Sequence, residues 1–446
     1  MHYIFKFCED RGYEVDVDSS VKTPLDIDPQ SIQKDIESLN LPFELRDYQF
    51  NSVVHGLTHQ RALLVSPTAS GKSLIIYTLL RLIHRPTLII VPTTSLVQQM
   101  YGDFQDYSKQ NGWDVDSHCH KIFQGTTRHT DKQVVISTWQ SIYKMGHDFF
   151  DRFDCVIGDE AHHFKAKSLT NIMTKTTNCP YKFGLTGSLD GTQTNETVLQ
   201  GLFGKTKRVA KTRSLMNKGQ LASLNINVCK VSYGSDALSI KGATYPEEIN
   251  WIVTNPYRNQ FITSLVEKLK GNTLVLYQYV EKHGIPLHKM IEEQCIQKDV
   301  QFVSGKISAE NRERIRKNTE SSTNTVIVAS MGTFSTGINI RNLHNIVFAS
   351  PSKSQIRILQ SIGRGLRKGD NKQSTMLYDI VDDLSNGDNK NYALEHGLQR
   401  LKLYLKEGFD FKEVTINLES IKDEFHVKTE TTSANFEDGE WRVTYM

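Results

Sequence analysis

Eight consecutive residues, Ser66-Pro67-Thr68-Ala69-Ser70-Gly71-Lys72-Ser73, combine what a polyphosphate requires. Small residues allow a tight loop whose backbone N–H groups surround phosphate oxygens. The helix expected to open at Ser73 adds its positive end. Lys72 supplies a point charge for the β- and γ-phosphates of ATP, and the Ser73 hydroxyl can hold Mg²⁺. The preceding run RALLV, 61–65, reads as a buried strand, the setting in which such a loop forms. Ser66 stands where the pattern GxxxxGK[ST] has its first glycine, and it is small enough for the turn.

A second group follows the run DCVIG: Asp159-Glu160-Ala161-His162-His163. Two adjacent carboxylates at a strand end can divide the work. Asp159 can reach the Mg²⁺ across the sheet, directly or through a water. Glu160 is then placed to polarise the water that attacks the γ-phosphate.

Short apolar runs alternate with helical stretches twice along the chain. The first set holds 61–65, 88–91, 134–138, 155–158 and 182–186; the second holds 273–277, 301–304, 325–330, 345–349 and 375–380. Continuous apolar runs separated by helices at about 285–298, 308–318 and 354–363 indicate parallel sheets covered on both faces. The expected fold is α/β: two tandem RecA-like parallel-sheet lobes. The expected division is an N-terminal segment, 1–44; lobe 1, 45–204; a connector, 205–254; lobe 2, 255–384; and a C-terminal helical extension and tail, 385–446. Leu398, Leu401 and Leu405 fall on one face of that extension. Ligands of such sheets sit beyond the carboxyl ends of the strands.

Composition narrows the class. The chain has 446 residues, 38% hydrophobic and 23% charged, enough for ordinary cores. No run approaches a membrane span, and the mixed N-terminus is unlike a signal peptide. A cytoplasmic location is expected, in the host if the gene is a phage's. Six scattered cysteines without CxxC spacing read as reduced thiols. His118-Cys119-His120 has no second ligand cluster, so structural zinc is not expected. A net charge of +3 decides nothing about nucleic acid.

The order of motifs resembles superfamily-2 helicases with a DEAH box. Leu45-Arg46-Asp47-Tyr48-Gln49 resembles the family's adenine-reading motif, in which Gln49 would bond the base edge. Pro92-Thr93-Thr94-Ser95-Leu96 resembles motif Ia and Ser137-Thr138-Trp139-Gln140 motif Ib. The resemblance therefore puts Thr93, Thr94 and Thr138 on DNA phosphates. Thr186-Gly187-Ser188 matches motif III. Ser335-Thr336-Gly337-Ile338-Asn339 resembles motif V, which implies DNA contact for Thr336 and nucleotide contact for Gly337 and Asn339. Gln278 would be a motif IV contact. Gln360-Ser361-Ile362-Gly363-Arg364-Gly365-Leu366-Arg367 resembles motif VI. There Arg364 and Arg367, three apart on one helical face, can stabilise the charge spread over a transferring phosphoryl group. Gln360 opens that run, and His162 would either couple to it across a cleft or satisfy local hydrogen bonds.

The resemblance is closer still to the UvsW-type helicases of T-even-like phages. It is carried by KFGLTGSLDG (182–191), KGATYPEEI (241–249), VASMGTFSTGINIRNLHNIVFA (328–349) and QSIGRGLRKG, and it spans roughly Leu45 to Asp383. Members remodel branched DNA: Holliday junctions, forks and R-loops, in recombination, repair and replication. IFKFCEDRGYEV resembles the end of the family's small N-terminal DNA-contacting domain, so the substrate-steering part is expected to be absent. The resemblance implies an ATP- and Mg²⁺-dependent monomer on branched or single-stranded DNA, bound without sequence code and with salt sensitivity. An RNA helicase or a restriction-type translocase would share these motifs, although no PD…ExK nuclease pattern is evident. An ATPase-dead clamp would have lost Lys72, Glu160 or the arginines, and all are present.

Overall fold

The structure is a computed structural model that describes residues 2–16, 24–189, 191–337, 340–368, 372–385, 390–420, 435–437 and 440–442. Two seven-stranded sheets dominate it. The first contains β1 (Arg61–Val65), β2 (Thr87–Val91), β3 (Cys119–Ile122), β4 (Val134–Thr138), β5 (Cys155–Asp159), β6 (Tyr181–Thr186) and β7 (Thr206–Arg208). Their order is β3-β4-β2-β5-β6-β1-β7, every pair parallel. The second contains β8 (Ser223–Ser232), β9 (Thr273–Tyr277), β10 (Asp299–Val303), β11 (Thr325–Ser330), β12 (Asn345–Phe348), β13 (Ser374–Asp383) and β14 (Phe411–Asn417). Their order is β10-β11-β9-β12-β13-β8-β14, again all parallel. Two tandem RecA-like lobes are thus present.

Central strands are buried along their length because helices cover both faces. β2, TLIIV, and β9, TLVLY, have no exposed position. Each fully buried Ile, Leu or Val contributes about 1.5–3 kcal/mol relative to an exposed one. The helices that matter for the site are α1 (Asp47–His59), α2 (Lys72–Ile83), α3 (Thr94–Ser108), α4 (Tyr245–Thr254), α5 (Pro256–Lys268), α6 (Met331–Gly337), α7 (Gln355–Gly365) and α8 (Tyr392–Glu407). Among the described residues no helix is long and apolar enough to cross a membrane.

The division between lobes differs from expectation at both ends of lobe 2. The stretch 205–254 gives β7 to the first sheet and β8 to the second, where β8 lies between β13 and β14. The C-terminal stretch contributes β14 as well as α8. The face of α8 also differs. Leu394, Arg400, Leu403 and Tyr404 are buried, whereas Leu405 is 66% exposed.

Arg400 is buried because β13 supplies its counter-charge. Its Nε donates to both oxygens of Asp379, and Oδ2 also accepts from the Tyr404 hydroxyl at 2.8 Å. Three residues on, Asp382 accepts from Arg258 of α5 at 2.6 Å and from the Tyr233 hydroxyl at 2.7 Å. These buried pairs fasten α5 and α8 to one strand.

A candidate nucleotide site between the lobes

The phosphate loop leaves β1 and enters α2. Ser66 donates its N–H to Thr186 O at 2.9 Å, which ties the loop to the end of β6. The Ser66 hydroxyl is fully buried and pairs with that of Ser70 at 2.6 Å, so a serine is satisfied where a glycine is usual. Ala69 and Gly71 have φ of 66° and 81°. Gly71 must be glycine: a Cβ there would lie 2.4 Å from Gln49 Nε2. Lys72 Nζ reaches Ser66 O at 3.5 Å. Thr68, at the loop's tip, lies under Gly187, whose Cβ would be 3.1 Å from Thr68 Oγ1 and 3.6 Å from Lys72 Nζ.

Asp159 ends β5, and Glu160 turns the chain with φ 50° and ψ 51°. A non-glycine residue in the left-handed region is strained, and such strain concentrates at functional sites. Asp159 Oδ1 is buried with no hydrogen-bond partner. Burial, then the neighbouring Glu160 charge, push the Asp159 carboxyl up to about 7. Burial also acts to raise Glu160, but attraction led by Lys72 outweighs it and leaves that carboxyl below its ordinary value. The pair thus splits into one carboxylate that needs a cation and one that is already charged.

The second lobe meets this pair. Gln360 Nε2 donates to Glu160 Oε2 at 3.3 Å across the cleft. A Cβ on Gly363 would lie 2.3 Å from Thr68 Cβ, so α7 rests on the tip of the phosphate loop. Gln360 therefore bonds Glu160 rather than His162. His162 Nδ1 instead sits 2.9 Å from Thr186 Oγ1 and 3.4 Å from Glu160 Oε2. Burial lowers His162 to about 4, so at neutral pH it orients Glu160 as an uncharged partner.

Arg364 is 9% exposed, with its guanidinium 5.7 Å from the Phe334 ring centroid. Burial and then mutual repulsion bring Arg364 down to about 10; burial, opposed by Asp103, brings Arg367 to about 10. Both remain cations at neutral pH.

Asp103 and Tyr107, one turn apart on α3, had no signal in the sequence beyond that spacing. Tyr107 OH lies 2.9 Å from Ser73 Oγ, and Asp103 also hydrogen-bonds Ser73. The Ser73 hydroxyl thus points to α3 in this structure. Gln49 is buried, accepting from Arg46 N and donating to Ser70 O, both at 2.9 Å. It braces the phosphate loop.

Four of the five expected DNA contacts lie at or just after strand ends: Thr93 and Thr94 after β2, Thr138 at the end of β4, Gln278 after β9. Thr93 caps α3 by accepting from Leu96 N at 3.3 Å, and Thr94 begins that helix. Thr138 is buried, its hydroxyl 2.9 Å from that of Ser141, so it offers a phosphate little. Gln278 is half-buried and donates its N–H to Ser350 Oγ at 3.0 Å. Thr336 and Gly337 fall in α6, and Asn339 lies outside the described residues. A cleft of about 690 Å³ lies along α1 between His55, Lys207, Arg208 and Lys218, and no phosphate-loop residue lines it.

Comparison with known proteins agrees with this geometry. Residues 36–190 match the family described as type III restriction enzyme, res subunit, and residues 257–369 the helicase conserved C-terminal domain. The chain is 35% identical over 444 residues to the ATP-dependent DNA helicase uvsW of Enterobacteria phage T4, covering 93% of this chain and 87% of that one. It is 23% identical to the DNA 3'-5' translocase XPB2 of Sulfurisphaera tokodaii, over 84% of this chain and 89% of that one. A fragment of a putative HsdR subunit of a type I restriction enzyme from Vibrio vulnificus shares the fold, with a TM-score of 0.63 and 16% identity over 99% of this chain and 75% of that one.

Proposed function

We propose that this chain, which belongs to the UvsW type of superfamily-2 helicases, hydrolyses ATP between its two lobes and uses the cycle to remodel branched DNA as a monomer in the host cytoplasm. The observation that carries the reading is the meeting of Glu160 with Gln360 above the phosphate loop, with Arg364 one helical turn further on. The relative's DNA helicase activity and the long alignment support DNA as the track.

Lys72 and the loop N–H groups bind the triphosphate. The site fits Mg²⁺, because Asp159 Oδ1 is buried, unpartnered and held near neutrality by its surroundings. Magnesium would supply charge neutralisation on the phosphates, with Asp159 its holder and Ser73 a second ligand once its hydroxyl turns from Tyr107. Glu160 orients a water and takes up its proton as the oxygen attacks the γ-phosphorus. The bond to the bridging oxygen breaks, and ADP leaves. Arg364 and Arg367 stabilise the charge on the transferring group from the other lobe. Because the arginines and the lysine sit on different lobes, ATP favours closure and its loss favours opening. Thr93, Thr94 and Gln278, at strand ends of both lobes, then grip the DNA backbone at changing spacing.

The test compares ATP turnover and unwinding on Holliday junctions, forks, R-loops and duplex RNA. Turnover stimulated by branched DNA and lost in Lys72→Ala and Glu160→Gln is expected. Equal unwinding of duplex RNA, or turnover that survives both substitutions, contradicts the reading.

A further inference from the structure

Three cations away from the cleft are almost wholly buried: Arg258, Arg400 and Lys372. All three donate to main-chain carbonyls that flank α7, in the segment leading into it or at its C-terminal end. Arg258 Nη2 bonds Ala349 O at 2.8 Å and Arg400 Nη1 bonds Ser352 O at 2.9 Å. Those carbonyls bracket the segment between β12 and α7. At the other end, Lys372 Nζ donates to Gly365 O, to Arg367 O at 3.1 Å and to Arg341 O at 3.4 Å. An ammonium has three protons, and here each has a carbonyl.

Lys372 differs from the arginines in its charge balance. Arg258 and Arg400 are paired with Asp382 and Asp379. Among the described residues no carboxylate forms an ion pair with Lys372, and burial pushes its ammonium down to about 7. The carbonyls at the C-terminal end of α7 favour the cation. An apolar side chain there would leave carbonyls that Lys372 satisfies short of a donor, so the ammonium ties the C-terminal end of α7 to Arg341.

We propose that Arg258, Arg400 and Lys372 are positioning residues for the arginine pair. They clamp α7 at both ends, so that Arg364 and Arg367 already have their working depth and angle when ATP arrives. The inference rests on the reading of Arg364 and Arg367 as the groups that meet the γ-phosphate. Arg364 precedes the clamped Gly365 by one residue, and Arg367 carries a clamped carbonyl itself. An error of about 1 Å in such a group costs on the order of a hundredfold in rate.

Lys372→Met in the full chain tests this. The expected result, assayed well below the variant's Tm, is a KM for ATP within about twofold of wild type and a DNA-stimulated kcat lower by roughly tenfold or more. Lys372→Gln, which keeps two donors, is expected to recover part of the loss. Arg400→Lys gives an independent measurement: it keeps the charge beside Asp379, gives up the arm to Ser352, and is expected to lower kcat in the same way. Wild-type kcat in both Lys372→Met and Arg400→Lys, while Arg364→Ala is inactive, overturns the inference. So does a loss of kcat that merely follows a falling Tm. A wild-type chain with no DNA-stimulated turnover would instead sink the underlying functional reading.

Discussion

The two lobes have the same strand order but different charges. Subtracting seven from each strand number in the second sheet turns β10-β11-β9-β12-β13-β8-β14 into β3-β4-β2-β5-β6-β1-β7. β8 is therefore the counterpart of β1, and β12 of β5. After β1 comes the phosphate loop, with Lys72 opening α2 behind it. After β8 comes Tyr233-Gly234-Ser235, where the Ser235 N–H and hydroxyl donate to the Glu419 carboxylate at 2.6 and 2.7 Å. A Cβ on Gly234 would overlap that carboxylate. In lobe 2 an internal anion fills the place that lobe 1 offers to a nucleotide. After the fifth strand the lobes diverge again: β5 delivers two carboxylates, β12 leads to two guanidiniums. Duplicated topology supplies two facing edges, and only the pairing of unlike charges makes them one site.

That contrast can be broken from either side. Arg364→Ala removes the contribution of lobe 2, and a fall in kcat of about a thousandfold or more is expected, with nucleotide affinity measured by fluorescent-analogue binding little changed. Glu160→Gln removes the proton acceptor of lobe 1; a loss of about a hundredfold or more is expected in steady-state turnover, again with binding retained. Gly363→Ala tests whether α7 touches the loop tip in the working state. Its Cβ meets Thr68, so kcat is expected to drop roughly tenfold, and Thr68→Gly in the same chain to restore part of it. Full activity in Gly363→Ala would mean that the lobes do not close this far.

Smaller effects sharpen the comparison. The Asp159 carboxyl is raised from about 4 towards about 7 in the folded protein, so the folded state holds a proton that the unfolded state has released. Without nucleotide, the Asp159 contribution to stability is expected to fall as pH rises through that interval, against the opposite contribution of the buried His162, and thermal unfolding of Asp159→Asn is expected to lack that contribution. Lobe 2 contributes with the opposite sign: Lys372, lowered by burial to about 7, adds stability as pH rises above that value. Glu419→Gln should cost at most about 1 kcal/mol and leave kcat unchanged; a changed kcat would mean that the second lobe's plugged loop takes part in turnover.

Much of this was legible in the residues, for physical reasons. β1, β4, β9 and β11 coincide with their apolar runs because central parallel strands are buried on both faces and carry no polar interruption. β3, β7 and β14 escaped because edge strands are short or half-exposed: TKR has no apolar residue, and FKEVTIN buries one position. β8 escaped because SLNINVCKVS alternates with asparagine and lysine and reads as connector. Lys72, Asp159, Glu160, Arg364 and Arg367 were visible because their spacing along the chain is their chemistry. Arg258, Arg400 and Lys372 were not, since what they do depends on carbonyls that only the tertiary fold brings near. Asp103 and Tyr107 reach Ser73 from another helix and left only an i,i+4 spacing as a trace.

The last strand has a consequence for how the chain is made. The sheet of lobe 1 is complete once residue 208 has been synthesised, whereas that of lobe 2 needs β14, which ends at Asn417. Domains tend to fold in the order in which they leave the ribosome. The half with the phosphate loop therefore matures first, and the half that brings the guanidiniums waits until Asn417 has been made. A nascent chain can bind fuel long before it is able to burn any.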